Sequence, residues 1–321
     1  MAKSLGSFRA ALLIGWVALG AAGVLFARAK GIPNWAALPV LAAILVEYPF
    51  YLVAGFSTVR ERQAGMRLPG FLLASALLPY LIYSVGTGQF RWDAFLRLAA
   101  LALGLSLWYV VLPAAPVLDL AFLALIAAVL LGGYFDNIYT PPYAGFSDVK
   151  ILGHLALIQI AVMVLTLERR IPETGYGFVP TRKDWRIGVV HYLYFLPIGL
   201  SLALILGVIR FNGIAAPWKI VGTFFGILWV VALSEEFFFR GVLFQWIEDW
   251  TWSPRLALLI TSILFGSVHL WFAGKFPNWQ QALVAAVLGW FCGRARMKAG
   301  SIQAGMVTHA LVVTTWRAFF S

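Results

Sequence analysis

Several ionisable side chains lie inside apolar segments of the C-terminal half of the sequence. The stretch Ser234-Glu235-Glu236-Phe237-Phe238-Phe239-Arg240 places two acids and a base in a hydrophobic run, and His269 and His309 lie in two later runs. A charged side chain at the centre of a bilayer costs about 2.5–3.5 kcal/mol on the insertion scale. A carboxylate and two imidazoles can activate a water for hydrolysis or bind Zn²⁺. These residues are therefore candidates for a hydrolytic site.

Helix spacing distinguishes the two acids. Glu236 and Arg240 lie four residues apart, in the order that favours an ion pair on one helix face. Glu235 is rotated by about 100° from Glu236, and its neighbours one turn away are Val231 and Phe239. We therefore expect Glu236 and Arg240 to neutralise each other, and Glu235 to need a partner on another helix.

The two histidines are candidates for that partner, and Phe265 precedes His269 by one helical turn. If their helices end at the same membrane face, Glu235, His269 and His309 lie about 18, 22 and 12 Å from it at 1.5 Å per residue. Helix tilt can account for the differences between these three depths. We therefore expect the three side chains to share one pocket.

Other polar residues in apolar runs have simpler interpretations. His154 and His191 have no acidic residue at a matching depth, so we interpret both as structural hydrogen-bonding residues. Glu47, two residues before Pro49, is expected to help hold helices together. Cys292 is the only cysteine, which excludes an intrachain disulfide and disfavours a thiolate metal site.

The elements that carry these residues are predicted to be membrane helices. Of 321 residues, 62% are hydrophobic and 12% charged, whereas a soluble domain has about 25% charged residues. In hydrocarbon only helices or closed barrels satisfy the backbone, and the apolar runs here are continuous rather than alternating. We predict an all-α, polytopic membrane helix bundle of about eleven transmembrane helices. The predicted spans are 8–27, 35–56, 69–86, 94–112, 117–135, 150–168, 187–209, 218–247, 254–272, 279–293 and 301–320.

The longest polar interruption runs from Glu168 to Arg186. It predicts three parts: an N-terminal membrane block of about six helices at 1–168, a basic linker at 169–186, and a C-terminal unit at 187–321. Ala27-Arg28-Ala29 is similar to a signal-peptidase site, but we expect a first span that stays attached.

The net charge of +11 is carried by short loops between spans, which is typical of topology signals and anionic-lipid contacts. We therefore expect a lipid bilayer as surroundings and no nucleic acid as partner. Fourteen basic residues lie on the side of the N-terminus against nine on the other. This bias favours a cytoplasmic N-terminus in a multi-pass protein, which we expect in a bacterial inner membrane.

In order and spacing, the polar residues resemble the three signatures of the CPBP family of intramembrane endopeptidases. These signatures are Glu235-Glu236-x-x-x-Arg240, Phe265-x-x-x-His269 and a late His309. The family includes CAAX prenyl proteases, bacteriocin-processing proteins and bacterial Abi proteins. The resemblance covers about residues 175–320, and it implies a CPBP-type protease core in the C-terminal unit.

The resemblance also implies a role for each residue. Glu235 would be the general base toward a water, His269 would position that water, and His309 would stabilise the oxyanion. Supporting roles would fall to Glu236, Arg240, Phe265 and Thr314. The implied substrate is a membrane-associated or C-terminally anchored protein or peptide, and neither the cleavage site nor a need for prenylation follows from the sequence.

One position departs from the family pattern. Relatives usually carry asparagine four residues after the late histidine, and here that residue is Val313. Loss of one oxyanion-hole donor can reduce the rate by about 10²–10³. Thr314, or a residue of another helix, is a candidate substitute.

Other functions stay open at this point. The same residues, Glu235, His269 and His309, can act as ligands of a catalytic zinc, although no cofactor is the first expectation. A catalytically impaired family member acting as a membrane scaffold or immunity-type protein is a non-enzymatic alternative. A transporter is disfavoured, because no inverted repeat is visible and the charges cluster in one half. The oligomeric state is not predicted.

Overall fold

The computed structural model describes residues 2–143, 148–172 and 174–321. Within these ranges the chain is helical, and the only β-type pairing is an isolated bridge between Phe211 and Phe320. The principal helices are α1 (Ala2–Ala29), α2 (Asn34–Ala54), α3 (Leu68–Gly86), α4 (Trp92–Ser106), α5 (Pro116–Leu131), α6 (Ile151–Met163, continued by a π-helical turn at Val164–Glu168), α7 (Arg182–Ile205), α8 (Pro217–Thr251), α9 (Pro254–Ser267), α10 (Trp279–Ala299) and α11 (Ile302–Phe319).

Seven helical segments of the described chain are long and apolar enough to cross a membrane. They contain α1, α2, α3, α6, α7, α8 and α9, while α5 is apolar but shorter. The prediction of an all-α, polytopic membrane protein is confirmed. The count of eleven transmembrane helices stays a prediction, because length and composition support seven.

The chain divides into two compact units, Met1–Ile171 and Pro172–Ser321. The division falls inside the polar segment 169–186, and the C-terminal part of that segment is helical because α7 begins at Arg182. Thr181 and Asp184 form a capping box there: each side chain bonds to the backbone N–H of the other residue. Such reciprocal bonds satisfy donors that a helix start leaves free.

In the N-terminal unit, an aromatic core lies between α3 and the following loops. The ring of Tyr139 packs on Tyr80 and Tyr83 at centroid distances of 5.7 and 5.8 Å, and His154 packs edge-on against Phe135. Glu47 is buried in α2 and makes no hydrogen bond or ion pair within the residues described. The prediction that it holds helices together by a polar contact is therefore wrong.

In the C-terminal unit, small residues set the distances between helices. A Cβ atom on Gly266 of α9 would lie 2.5 Å from the Ala282 carbonyl of α10, and one on Gly188 of α7 would lie 2.7 Å from Val307 of α11. Only glycine permits so close an approach, as is typical of packing between membrane helices. These contacts bring α7, α9, α10 and α11 together around the polar residues.

Two stretches of π-helix occur inside α8, at Ile227–Ala232 and Phe237–Leu243. A single α-helical turn, Leu233–Glu236, lies between them and contains both adjacent glutamates. π-Helical turns are rare and occur frequently at functional sites. This irregular backbone determines which side of α8 presents Glu235 and Glu236.

Candidate active site

Glu236 is the centre of a buried polar cluster. Its side chain and that of Arg240 are both 0% exposed, and Arg240 Nη1 donates to Glu236 Oε1 across 3.1 Å. His309 Nδ1 also lies 3.1 Å from Glu236 Oε1. The predicted ion pair between Glu236 and Arg240 is therefore present, but it is shared with a histidine of α11, which sequence reasoning had assigned to Glu235.

Glu235 faces the other nitrogen of the same imidazole. Its Oε2 lies 3.7 Å from His309 Nε2, which is longer than a hydrogen bond, and this oxygen makes no hydrogen bond in the described chain. The Glu235 side chain is 33% exposed, whereas that of His309 is 4% exposed. His309 thus lies between two acids, with Glu235 on the accessible side and Glu236 on the buried side.

Arg240 is held by contacts with two further helices. Its Nη2 donates to the Gly289 carbonyl of α10 across 2.8 Å. Its guanidinium carbon lies 4.5 Å from the centroid of the Phe265 ring of α9, a cation–π distance. A Cβ atom on Gly289 would lie 2.8 Å from Nη2, so the small residue makes room for the guanidinium.

The ring of Phe265 contacts both predicted histidines, His269 and His309. Its ring centroid lies 5.0 Å from that of His269 and 5.7 Å from that of His309. Both imidazoles therefore contact one phenylalanine, and the expectation of one shared pocket stays a prediction. No direct contact between His269 and either glutamate is found within the described chain.

His269 lies in a 3₁₀-helical turn, Val268–Gly274, rather than in regular α-helix. Its Nδ1 donates to the Phe265 carbonyl across 2.8 Å. Because a carbonyl only accepts hydrogen bonds, the proton of the neutral ring is on Nδ1 and the lone pair is on Nε2. His269 can therefore present an acceptor to a water or a substrate group.

His191 has the same local geometry without an acidic neighbour. Its Nδ1 lies 2.8 Å from the Ile187 carbonyl, one turn earlier on α7, and its ring contacts Tyr194. These contacts agree with the structural interpretation made from the sequence.

Thr314 and Val313 do not complete a visible oxyanion hole. Thr314 is buried, and its hydroxyl makes no hydrogen bond within the described residues. Val313 is partly exposed. The supporting role of Thr314 therefore stays a prediction.

Two neighbours of the cluster were not identified from the sequence. A Cβ atom on Gly305 would lie 2.8 Å from Glu236 Oε2 and 3.0 Å from the Cys292 carbonyl. The spacing of Gly305, four residues before His309, places both on one helix face and was a usable signal. Cys292 lies on a different helix, α10, and no spacing in the sequence connects it with the cluster.

A set of possible metal ligands other than the one considered from the sequence lies close together. Among the described residues, the donor atoms that come within 4.8 Å of one another belong to Glu236, Cys292 and His309. Glu235 and His269, which the zinc alternative required, are not in this group. The zinc alternative with Glu235, His269 and His309 therefore stays a prediction.

The fold and the cluster define a polytopic membrane protein with an acid–imidazole site in its C-terminal unit. Residues 217–315 match the family model described as type II CAAX prenyl endopeptidase Rce1-like, which confirms the predicted resemblance to the CPBP family for this part of the chain. The match contains Glu235, Glu236, Arg240, His269 and His309. Neither the curated proteins nor the solved structures give a match. The matched family is one of proteases, which supports an intramembrane endopeptidase at the level of the family.

Proposed function

We propose that the protein is a glutamic-type intramembrane endopeptidase, in which Glu235 activates water to cleave a peptide bond of a membrane-associated or C-terminally anchored substrate. The observation that supports this proposal best is the position of His309 between two acids. Glu236 binds its Nδ1 in the buried interior, and the partly exposed Glu235 faces its Nε2. Of the two acids, only Glu235 has a partly exposed side chain.

The reaction would begin with a water next to Glu235 and His309. A separation of 3.7 Å between Glu235 Oε2 and His309 Nε2 allows one water oxygen to lie within hydrogen-bond distance of both. Glu235 takes a proton from this water, and the oxygen forms a bond to the carbonyl carbon of the substrate. The carbonyl π electrons move to the oxygen, which becomes an oxyanion. Glu235 then gives the proton to the amine as the C–N bond breaks.

The two histidines and the buried pair have supporting roles in this scheme. His309 is oriented by its bond to Glu236; as an imidazolium, which carries a proton on each ring nitrogen, it donates through Nδ1 to Glu236 and through Nε2 to the oxyanion. His269 accepts a hydrogen bond through Nε2 and positions water or substrate. Arg240 and Glu236 are positioning residues, because both are fully buried and contact the reaction only through His309.

Substitution of Glu235 by glutamine tests the proposal. Purified wild type and Glu235→Gln are reconstituted in liposomes with prenylated and unprenylated membrane-anchored peptides, and products are identified by mass spectrometry. We expect the variant to lose turnover by about 10²–10⁴-fold, since general-base catalysis contributes that much. Glu248→Gln is the matched control: this acid lies on the same helix, and its nearest cation is Arg296 at 3.9 Å. Unchanged turnover in folded Glu235→Gln would remove Glu235 from the mechanism.

A non-catalytic scaffold is the second candidate, and Val313 favours it, because relatives usually carry an amide donor at that position. The same experiment separates the two functions. Wild type that binds the anchored peptides but releases no product over long incubation supports the scaffold.

A further inference from the structure

The buried side of the candidate active site contains a set of donor atoms that lie close enough together to share one metal ion. Glu236, Cys292 and His309 are all buried, and one donor atom of each lies within 4.8 Å of the other two. Glu236 Oε2 makes no hydrogen bond within the described residues. Since Gly305 is close to both this oxygen and the Cys292 carbonyl, Oε2 is directed toward the part of α10 that carries the cysteine.

The chemistry of these donors selects a class of ion. A thiolate, an imidazole and a carboxylate are the ligands of zinc sites, whereas Mg²⁺ and Ca²⁺ prefer oxygen ligands. Bonds of about 2.0–2.3 Å to a tetrahedral Zn²⁺ place ligand atoms roughly 3.3–3.8 Å apart. The separations found here, at most 4.8 Å, would reach these values with shifts of no more than about an ångström. A water would be the fourth ligand of the tetrahedron.

We infer that Glu236, Cys292 and His309 form a binding site for Zn²⁺, and that its occupation inhibits the protein. Binding releases the thiol proton of Cys292 to solvent and leaves Arg240 on the other oxygen of Glu236. The ion also binds His309. The proposed reaction requires this histidine to keep its orientation between Glu235 and Glu236. The inhibition rests on the proposed function, whereas the binding does not.

Cobalt substitution tests the binding directly. Tag-free protein in detergent is titrated with Co²⁺, whose thiolate complexes absorb in the near ultraviolet by charge transfer from sulfur. Because the chain has one cysteine, such a band reports Cys292 alone. We expect one equivalent of Co²⁺ to produce the band, Zn²⁺ to displace it, and Cys292→Ser to abolish it. If wild type gives no band, or if Cys292→Ser keeps it, the site does not exist.

Two further measurements complete the test. Size-exclusion chromatography and thermal unfolding show whether Cys292→Ser is folded, and Cys292→Ala replaces it if it is not. In the peptidase assay, we expect the Zn²⁺ concentration for half inhibition to rise at least tenfold in the cysteine variant, with unchanged activity in the absence of metal.

The two proposals fail separately in these experiments. A band without any peptidase activity supports the metal site and contradicts the proposed function. Activity without a band contradicts the metal site and leaves the function intact. Equal inhibition of wild type and the cysteine variant by Zn²⁺ overturns the inhibitory role of the site.

Discussion

His309 is hydrogen-bonded to Glu236, the buried acid: His309 Nδ1 lies 3.1 Å from Glu236 Oε1. The bond joins α8 to α11 and determines which ring nitrogen is directed to the accessible side. Arg240 donates to the same carboxylate oxygen, so the negative charge of Glu236 is shared between a guanidinium and an imidazole. The orientation of His309 therefore depends on a residue that solvent and substrate do not reach.

Glu236→Gln should reduce turnover by about 10²-fold or more with a small change in KM. The amide can present an N–H to His309 Nδ1 and so reverse the hydrogen bond that orients the ring. In a serine protease, an equivalent change in the acid behind the histidine costs about 10⁴-fold. Steady-state kinetics measure the effect, and circular dichroism checks that the helices persist. A variant that loses only substrate affinity would contradict this positioning role.

His269→Gln should lose activity, whereas His191→Gln should keep it. The two histidines form a matched pair, because each has Nδ1 at 2.8 Å from the carbonyl of the residue four positions earlier. Both variants therefore lose a similar local hydrogen bond, worth about 0.5–1.5 kcal/mol. Only His269 shares the Phe265 ring with His309. Parallel thermal unfolding and peptidase assays measure the two effects, and equal losses of activity would assign His269 a structural role.

Gly305→Ala should disturb the site from its buried side. The added methyl group would lie 2.8 Å from Glu236 Oε2, so the carboxylate or α11 must move. Such overpacking costs about 1–3 kcal/mol, and we expect at least a tenfold loss of turnover.

Gly222→Ala on α8 is the control for that change, because no atom lies within 4 Å of its added Cβ. It should raise stability by up to about 1 kcal/mol, the difference in helix propensity. Thermal unfolding and kinetics of both variants provide the comparison. If Gly305→Ala is as active as Gly222→Ala, the close packing on Glu236 has no functional importance.

The sequence was sufficient to predict an all-α membrane protein and the local pairing of its polar residues. The Glu236–Arg240 pair follows from a spacing of four residues, and Phe265–His269 follows from the same rule. The cost of charge in hydrocarbon then identifies Glu235, His269 and His309 as side chains that need a shared polar site. These inferences use local spacing and composition, which need no knowledge of how the helices pack.

The partner of His309 was not predictable in this way. Helix-wheel angles assume regular α-helix, and α8 contains π-helical turns on both sides of Leu233–Glu236. The rotation of α11 about its axis also decides which acid Nδ1 meets, and this rotation is set by packing such as that of Gly188 on Val307. Cys292 was missed for the same reason, because its proximity depends on packing between α8, α10 and α11.

Val313→Asn should raise turnover if the protein is an endopeptidase that lacks one oxyanion donor. Val313 lies four residues after His309, on the same face of α11, and is partly exposed, so an amide there keeps access to water. A donor of this kind contributes about 10²–10³-fold, and we expect a gain of at least tenfold, seen in kcat rather than KM. Val313→Ala is the control for the change in volume and should show no gain. A gain in both variants would indicate relief of crowding, and a loss in Val313→Asn would show that another group already stabilises the oxyanion.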